Sequence, residues 1–279
     1  MTAALSREKT AQYHKDGFLT PLPVAAADEA ADWLRRLEAL EAAEGGKLSF
    51  ASNTKPHILH PWLAELVRHP AILDAVESVI GPDLLVWGAG FFSKNPNDGK
   101  VVSWHQDSTY WGLSEPEIVT AWVAFTPSTV QAGCMRVIPG THTVDQLPHV
   151  DTHAPDNLLS RGQEVAVEVD ENQAVDIVLD PGQMSLHHVR LIHGSGVNRA
   201  PHRRVGFALR YIPTRIRQTI GDQDSATLVR GTDRFGNFIA EPRPVREGDP
   251  DCAAFHAAMI ARHTNILYQG AAKRPVPAM

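Results

Sequence analysis

Two short stretches of this 279-residue sequence carry side chains that could hold a metal ion. His105 and Asp107 lie two residues apart in the segment Ser-Trp-His-Gln-Asp-Ser, and His193 occurs later in a β-like run that ends in Gly-Ser-Gly. Two imidazoles and one carboxylate can occupy one face of an octahedral ferrous ion and leave the opposite positions open. The three side chains therefore predict an iron centre that activates oxygen.

The spacing of these residues predicts how a β scaffold would present them. Residues i and i+2 of a strand project from the same face, so we expect His105 and Asp107 to point together into a barrel, while His193 comes from another strand. A histidine two residues from an aspartate is a common chance pattern in a chain with 14 histidines. Among the others, His187 could line the same cavity.

An arginine that follows His193 in the sequence strengthens the prediction of an iron centre. Arg204 lies eleven residues further on, at the start of the next apolar run. If that run is the hairpin partner of the His193 strand, the Arg204 guanidinium faces the same cavity and can bind a carboxylate through two hydrogen bonds. This predicts a keto-acid cosubstrate. Arg203 would face the opposite way and form a surface ion pair.

Composition limits the kinds of partner. The hydrophobic fraction of 43% is enough for one sizeable core, and the net charge of −6 argues against a general nucleic-acid or anionic-membrane surface. We therefore expect small-molecule partners. Two cysteines far apart in sequence predict reduced thiols and a cytoplasmic location. The sequence shows neither a signal-like apolar region nor a stretch of the roughly 20 apolar residues that span a bilayer.

Periodicity predicts a mainly β fold with flanking helices, of the antiparallel jelly-roll type. Helices are predicted over 25–44, 61–80 and about 251–263, and seven strands over 84–94, 119–127, 135–139, 165–169, 174–179, 184–188 and 205–213. We expect one catalytic domain over 1–279, with helical support over about 1–82 and a lid plus C-terminal helix over about 214–279. Within the latter, 214–249 is the candidate lid, with an ordinary surface loop as the alternative.

Four stretches together carry a family resemblance. They are Asp16-Gly17-Phe18, Trp104 to Asp107 with Ala121-Trp122, Gly133 to His142, and Pro181 to Met184 with His193 to Arg204. On these residues the chain resembles the phytanoyl-CoA dioxygenase family of Fe(II)- and 2-oxoglutarate-dependent oxygenases. The resemblance extends from about residue 16 to about residue 213.

The resemblance implies a fold, a cofactor set and several residue roles. The fold would be a double-stranded β-helix, the jelly roll also found in cupins. Fe(II) would be held by His105, Asp107 and His193, with 2-oxoglutarate and O2 as cosubstrates and Arg204 on the distal carboxylate of 2-oxoglutarate. Three further residues would line the cosubstrate pocket, namely Gln106, Trp122 and Ser195. The stretch from Gly133 to His142 is interpreted as structural.

The implied activity is oxidative decarboxylation of 2-oxoglutarate coupled to hydroxylation, or a related oxidation, of a small organic molecule. Related halogenases replace the carboxylate ligand with a small residue, so Asp107 favours oxygenation. The alternative is a cupin-like metal-dependent isomerase or hydrolase that does not use 2-oxoglutarate and needs no arginine at the position of Arg204.

The substrate itself is not identified by the sequence. Tyr110 and Trp111, just beyond the metal strand, are candidates for an apolar wall of the substrate pocket. Arg210, Arg215 and Arg217 could each meet a carboxylate or phosphonate on the substrate, and we expect at least one of them to enter the cavity.

Overall fold

Two mainly antiparallel β-sheets form the centre of the computed structural model, which describes residues 4–221, 223–269 and 271. In chain order the strands are β1 (Phe18–Pro23), β2 (Leu84–Lys94), β3 (Val102–His105), β4 (Val119–Ala124), β5 (Met135–Val137), β6 (His149–Asp151), β7 (Gln163–Val165), β8 (Val175–Ile177), β9 (Gln183–His188), β10 (His193–Ser195), β11 (Arg204–Pro213), β12 (Ser225–Arg230) and β13 (Ile239–Ala240). The larger sheet has the order β1-β9-β4-β11-β2-β12-β13, and the smaller has the order β3-β10-β5-β8. This arrangement confirms the predicted jelly roll.

The helices flank the β-sheets. They are α1 (Arg7–Asp16), α2 (Ala27–Ala43), α3 (Phe50–Asn53), α4 (Pro61–Leu66), α5 (Pro70–Ile80) and α6 (Pro250–Leu267). Alternate residues of β11, from Val205 to Tyr211, are buried in one apolar cluster with Trp33 and Leu37 of α2 and Ile72 of α5. Because side chains alternate across a strand, the residues between them face the other sheet. β11 therefore separates a helix-covered core from the interior of the jelly roll.

The first third of the chain departs from its predicted pattern in two places. The helix predicted over 61–80 is two helices, α4 and α5, because the residue before a proline is disfavoured in a helix and His69 precedes Pro70 in an extended conformation (ψ 127°). Strand β1, which was not predicted, pairs with β9 at the edge of the larger sheet. The region 1–82 thus supports the sheet and also extends it.

The middle of the segment from 214 to 249 forms a strand of the larger sheet. β12 lies between β2 and β13, with Thr227 opposite Val86. This part of the predicted lid is therefore a sheet strand and not a flap. α6 follows this segment, and His263 and Leu267 of α6 line a cavity of about 570 Å³. Among the described residues, the C-terminal helix and not the segment from 214 to 249 contributes to the wall of that cavity.

Two motifs that are distant in sequence pack against each other at the end of α1. The Gly140 amide donates a hydrogen bond to the Asp16 carbonyl (2.8 Å), and the His142 ring donates one to the His14 carbonyl (3.1 Å). The stretch from Gly133 to His142 thus fixes the N-terminal helix to the barrel, as its structural interpretation predicted.

Both cysteines, Cys134 and Cys252, are buried and unpaired. No helix within the described residues is both long and apolar enough to cross a bilayer.

Candidate metal centre and cosubstrate pocket

Strand pairing brings the two predicted histidine ligands together. His193 of β10 lies directly opposite His105 of β3, and their ring centres are 4.1 Å apart. The strand ends at His105, and Asp107 begins a short 3-10 turn. The expectation that Asp107 continues the strand is therefore wrong, although the turn still directs its carboxylate toward the histidines.

The three side chains form a compact donor set. Asp107 Oδ1 lies 3.3 Å from His105 Nε2 and 3.9 Å from His193 Nε2, and one ligand atom from each residue falls within 4.8 Å of the others. Two imidazole nitrogens and one carboxylate oxygen on one side of a pocket fit a ferrous ion that keeps open coordination positions.

Backbone carbonyls fix the orientation of both imidazoles. His105 Nδ1 donates a hydrogen bond to the Ser103 carbonyl, and His193 Nδ1 donates one to the Leu191 carbonyl. The distance from nitrogen to oxygen is 2.9 Å in both. A carbonyl can only accept, so the proton of each neutral ring lies on Nδ1 and the lone pair of Nε2 faces the donor set. A histidine that binds metal commonly has such a partner on its second nitrogen.

Burial keeps the donors in the protonation states that metal binding requires. Burial and the neighbouring His105 hold the pKa of His193 well below its usual range, so the imidazole is neutral. Burial opposes ionisation of Asp107, but the adjacent His105 ring and the positive charge of Arg210 lower its pKa, so the carboxylate is ionised.

A third histidine and a threonine lie close to the outer oxygen of Asp107. His187 Nε2 is 3.9 Å from Asp107 Oδ2, and the Thr120 hydroxyl is 3.5 Å from the same atom. Burial lowers the pKa of His187 to about 4, and its Nδ1 has no partner within the described chain. His187 lines the metal pocket, as the sequence suggested it could.

Arg204 faces the same pocket, although the strand pairing that places it there differs from the predicted one. β10 pairs with β3 and β5, whereas β11 pairs with β2 and β4, so the two strands are not hairpin partners. Arg204 is nevertheless on the inward face of β11 and is only 3% exposed. It lines the pocket that contains His105, Asp107 and His193. Arg203 faces outward and pairs with Glu41 (2.6 Å), as expected.

Two glycines make room for the Arg204 side chain and its neighbours. The Arg204 guanidinium donates to the Gly133 carbonyl (2.5 Å) and lies 5.2 Å from the centre of the Trp122 ring. Gly133 has a φ of +66°, and a Cβ there would lie 2.4 Å from a backbone oxygen. A Cβ at Gly206 would lie 1.9 Å from the Trp122 ring. Both positions therefore require glycine.

Sequence reasoning missed a second buried cation beside Arg204. Lys94 of β2 is directly opposite Arg204 in the sheet and is fully buried. Its ammonium donates to the Ser195 hydroxyl (2.6 Å) and to the Gly196 carbonyl (2.6 Å). Burial and the adjacent Arg204 lower the pKa of Lys94 to about 7. Only the pairing of β2 with β11 reveals this residue.

The cations lack a carboxylate partner within the described part of the chain. Neither Lys94 nor Arg204 forms an ion pair there, and the Arg204 Nε is buried without an acceptor. Buried charges are ordinarily paired, so this end of the pocket is built to receive an anion. A dicarboxylate with one end at the metal and the other at Arg204 fits this requirement.

Of the three other residues predicted for the cosubstrate pocket, two line it and one does not. Trp122 and Ser195 line the metal pocket. Gln106 does not, because its side-chain amide donates to the Arg190 carbonyl (2.8 Å) and accepts from the Leu147 amide (2.7 Å). The prediction that Gln106 lines the pocket is therefore wrong. Its side chain instead anchors the loop that follows β5 through hydrogen bonds.

A larger cavity of about 570 Å³ opens beside the metal pocket and shares Phe92, Asp107 and Arg210 with it. Trp111 lines this outer cavity, as predicted. Tyr110 does not, because its hydroxyl bonds Asp151 (2.5 Å).

Only one of the three arginines proposed for substrate contact lies in the outer cavity. That residue is Arg210. Arg215 pairs with Glu115 (3.2 Å) and Glu117 on the surface, and Arg217 is exposed. The structure thus excludes Arg215 from the cavity wall.

Comparison with known sequences gives partial but consistent matches. Human peroxisomal phytanoyl-CoA dioxygenase is 34% identical over 143 residues, which is 48% of this chain and 42% of that protein. A probable alpha-ketoglutarate-dependent hypophosphite dioxygenase of Stutzerimonas stutzeri is 28% identical over 161 residues, 55% of each chain. The chain spans about half the length of the curated relatives it matches.

Solved structures match over a larger share of the chain. The non-heme monooxygenase ThoJ in its apo form is 37% identical, with a TM-score of 0.83 over 93% of this chain and 97% of that one. CytC3 with Fe(II) and alpha-ketoglutarate is 25% identical, with a TM-score of 0.65 over 85% of this chain and 93% of that one.

The family profile described as phytanoyl-CoA dioxygenase (PhyH) matches residues 13–206, which include every residue of the donor set together with Lys94 and Arg204. That range is well over half of the sequence. On this match, and with the donor set and fold in agreement, the chain belongs to the phytanoyl-CoA dioxygenase family.

Proposed function

We propose that this protein is an Fe(II)- and 2-oxoglutarate-dependent dioxygenase that hydroxylates, or oxidises in a related way, a small organic substrate. The observation that carries the proposal is the presence of two kinds of site in one buried pocket. His105, Asp107 and His193 form a donor set for iron, and Arg204 supplies an unpaired cation a short way along the same wall.

When bound, iron supplies oxygen activation coupled to the oxidative decarboxylation of 2-oxoglutarate to succinate and carbon dioxide. The chain supplies binding and orientation. His105 and His193 are held by backbone carbonyls, so neither imidazole has to reorient when the metal enters. No side chain has to act as an acid or a base in the oxidation of a C–H bond, so precise placement is the main contribution of the protein.

Arg204 and Lys94 account for the choice of a dicarboxylate. Arg204 presents a planar guanidinium suited to a carboxylate, and Lys94 donates to the Ser195 hydroxyl, which leaves the hydroxyl proton free to point into the pocket. Ser195 lines the metal pocket, whereas Lys94 acts from behind it. We assign Arg204 and Ser195 to the distal carboxylate of 2-oxoglutarate and Lys94 to positioning Ser195.

The surrounding wall excludes water from the reacting centre. Phe92, Trp122, Met135 and Leu159 line the metal pocket beside the polar residues. An apolar wall strengthens electrostatic interactions within the pocket and limits side reactions of an activated oxidant. Asp107 fills the position of the carboxylate ligand, which favours oxygenation over halogenation.

An isomerase or hydrolase that does not use 2-oxoglutarate has no use for the two unpaired cations. Leaving Lys94 and Arg204 buried without an anion is costly, and a metal site alone does not require either residue. The structure therefore favours the oxygenase over this alternative.

The proposal is tested with anaerobically purified protein, Fe(II) and 2-oxoglutarate, to which oxygen is then added while succinate is followed. We expect succinate to form in the wild type and to be lost in His105→Ala. Arg204→Met should chiefly weaken 2-oxoglutarate binding, whereas Arg203→Met, the matched outward-facing control, should leave it unchanged. Failure of the wild type to bind 2-oxoglutarate and to release succinate would contradict the proposal.

A further inference from the structure

Arg210 has an unusual position on the inward face of β11. It lies six residues after Arg204, opposite Gly88 of β2 and Thr120 of β4. Its guanidinium is 5.2 Å from the centre of the Trp111 ring and 5.9 Å from that of Phe92. The two aromatic rings fix the guanidinium at the junction between the metal pocket and the outer cavity, both of which Arg210 lines.

A β-bulge helps to form this junction. Arg210 is opposite Gly88 and Tyr211 is opposite Val86, so Trp87 has no partner on β11. Both Trp87 and Gly88 line the outer cavity, and the extra residue increases the local twist of β2 beside Arg210. Gly88 leaves space for the arginine stem, since a Cβ there would lie 3.3 Å from Arg210 Cδ.

The Arg210 guanidinium makes no hydrogen bond or ion pair with any residue that the structure describes, and its Nε is buried without a partner. Other arginines differ: Arg203 pairs with Glu41, and Arg230 pairs with Asp74 and Glu77. Arg210 is only partly buried, but its buried Nε lacks an acceptor, and leaving a buried donor unsatisfied is costly. Such a cost is expected where a ligand supplies the missing acceptor.

The charge of Arg210 is not balanced by the metal centre. Among the described residues, Asp107 is the one carboxylate that influences its charge, yet the two side chains are not within ion-pair distance. In the proposed enzyme the Asp107 charge is directed to iron. A partly buried cation therefore remains at the entrance to the metal pocket.

We propose that Arg210 binds a carboxylate group of the substrate, an inference that rests on the proposed function of the site. The rest of the substrate then occupies the outer cavity, whose wall combines apolar residues such as Trp111 and Leu267 with polar ones such as Asn53 and Ser160. The substrate class is thus a small carboxylic acid, and Trp111 beside Arg210 favours an apolar group near the carboxylate. Because Arg210 and Asp107 line the same two cavities, the oxidised C–H bond lies close to the carboxylate and not at the far end of the body.

Two other roles for Arg210 make different predictions. The guanidinium could hold the 1-carboxylate of 2-oxoglutarate, in which case its removal weakens binding of 2-oxoglutarate and not of the substrate. It could serve only to stabilise the fold, in which case its removal lowers the thermal stability of the metal-free protein.

The test uses matched pairs of an acid and its primary amide, with phenyl, indolyl and cyclohexyl bodies on a propanoate chain. Binding to metal-free protein is measured by titration calorimetry. The wild type should bind at least one acid about 30-fold more tightly than its amide, the loss expected when a buried ion pair is broken. Arg210→Gln should abolish the preference, Arg210→Lys should retain part of it, and the exposed control Arg217→Gln should retain all of it.

Stability and cosubstrate binding provide the independent readouts. Arg210→Met removes a partly buried cation that has no ion-pair partner among the described residues, so the thermal midpoint of the metal-free protein should stay equal or rise by about a few degrees. The wild type and Arg210→Gln should bind 2-oxoglutarate equally well in the iron-loaded form.

Three results would overturn the assignment of Arg210. They are no acid preference in any pair, a lower midpoint for Arg210→Met, or a loss of 2-oxoglutarate affinity in Arg210→Gln with the acid preference intact. Failure of the proposed function is recognised separately, because then the wild type itself binds no 2-oxoglutarate.

Discussion

The pocket around Lys94 predicts that 2-oxoglutarate binding weakens as the pH rises. Burial and Arg204 lower the pKa of Lys94 from 10.5 to about 7, so the free protein loses the Lys94 proton near neutrality. A bound carboxylate favours the charged ammonium and raises this pKa again. Binding above pH 7 therefore takes up a proton, and the affinity for 2-oxoglutarate falls with increasing pH.

The size of the effect follows from the fraction of protein that carries the proton. With a pKa of about 7, about half of the free molecules are protonated at pH 7 and about 1% at pH 9. If the bound carboxylate restores the ordinary pKa of 10.5, the affinity falls about 50-fold between these two values. The two carboxylates of 2-oxoglutarate are ionised throughout this range, so the ligand does not contribute to the slope.

The assay is an anaerobic titration of the iron-loaded protein with 2-oxoglutarate at intervals from pH 6 to pH 9, at constant ionic strength. Lys94→Met should bind weakly and with little pH dependence, whereas Lys9→Met, which removes an exposed lysine of α1, should follow the wild-type curve. Thermal unfolding of Lys94→Met confirms that it is folded. A wild-type affinity that does not change with pH, or an equal decline in Lys94→Met, would refute the reasoning.

Three further outcomes are expected. Arg204→Met should weaken 2-oxoglutarate binding by about 30-fold or more while leaving iron binding intact, because it removes one partner of a buried charged contact; equilibrium titration measures both. Gly206→Ala should also impair 2-oxoglutarate binding, since its Cβ would lie 1.9 Å from the Trp122 ring and displace that ring from Arg204. Glu241→Gln should destabilise the fold by about 1.5–3 kcal/mol in chemical denaturation, because Lys55 loses one of its two buried carboxylate partners, at 3.0 Å, and keeps Asp224. Burial opposes ionisation of Glu241, but Lys55 lowers its pKa to about 2, so wild-type stability should fall between pH 4.5 and pH 2 and the variant should lose this part of the slope.

The donor set was predictable from the sequence because its residues are chemically distinctive and two of them are closely spaced. His105 and Asp107 are two residues apart, and the run around His193 is strand-like. Once the jelly-roll fold is predicted, these three side chains are expected to lie close together. The structure places Arg204 in the predicted pocket even though the predicted strand pairing was wrong. Its direction depends on the alternation along β11 alone, which is independent of the sheet that β11 joins.

Residues whose roles depend on long-range pairing could not be predicted. Lys94 ends an apolar strand, and its partner Ser195 is 101 residues away. Gln106 was misassigned because its bonds go to Leu147 and Arg190 on loops that pattern analysis does not place. The break before Pro70, in contrast, follows from local sterics and was accessible from the sequence.

The central claim is that one pocket binds iron and 2-oxoglutarate together, and a single spectroscopic titration tests it most directly. Under anaerobic conditions, addition of 2-oxoglutarate to the Fe(II)-loaded protein should produce the visible charge-transfer band of a 2-oxo acid chelated to ferrous iron. The band should be absent in His193→Ala and should require higher 2-oxoglutarate concentrations in Arg204→Met. A wild-type protein that binds Fe(II) but develops no band at saturating 2-oxoglutarate would contradict the account.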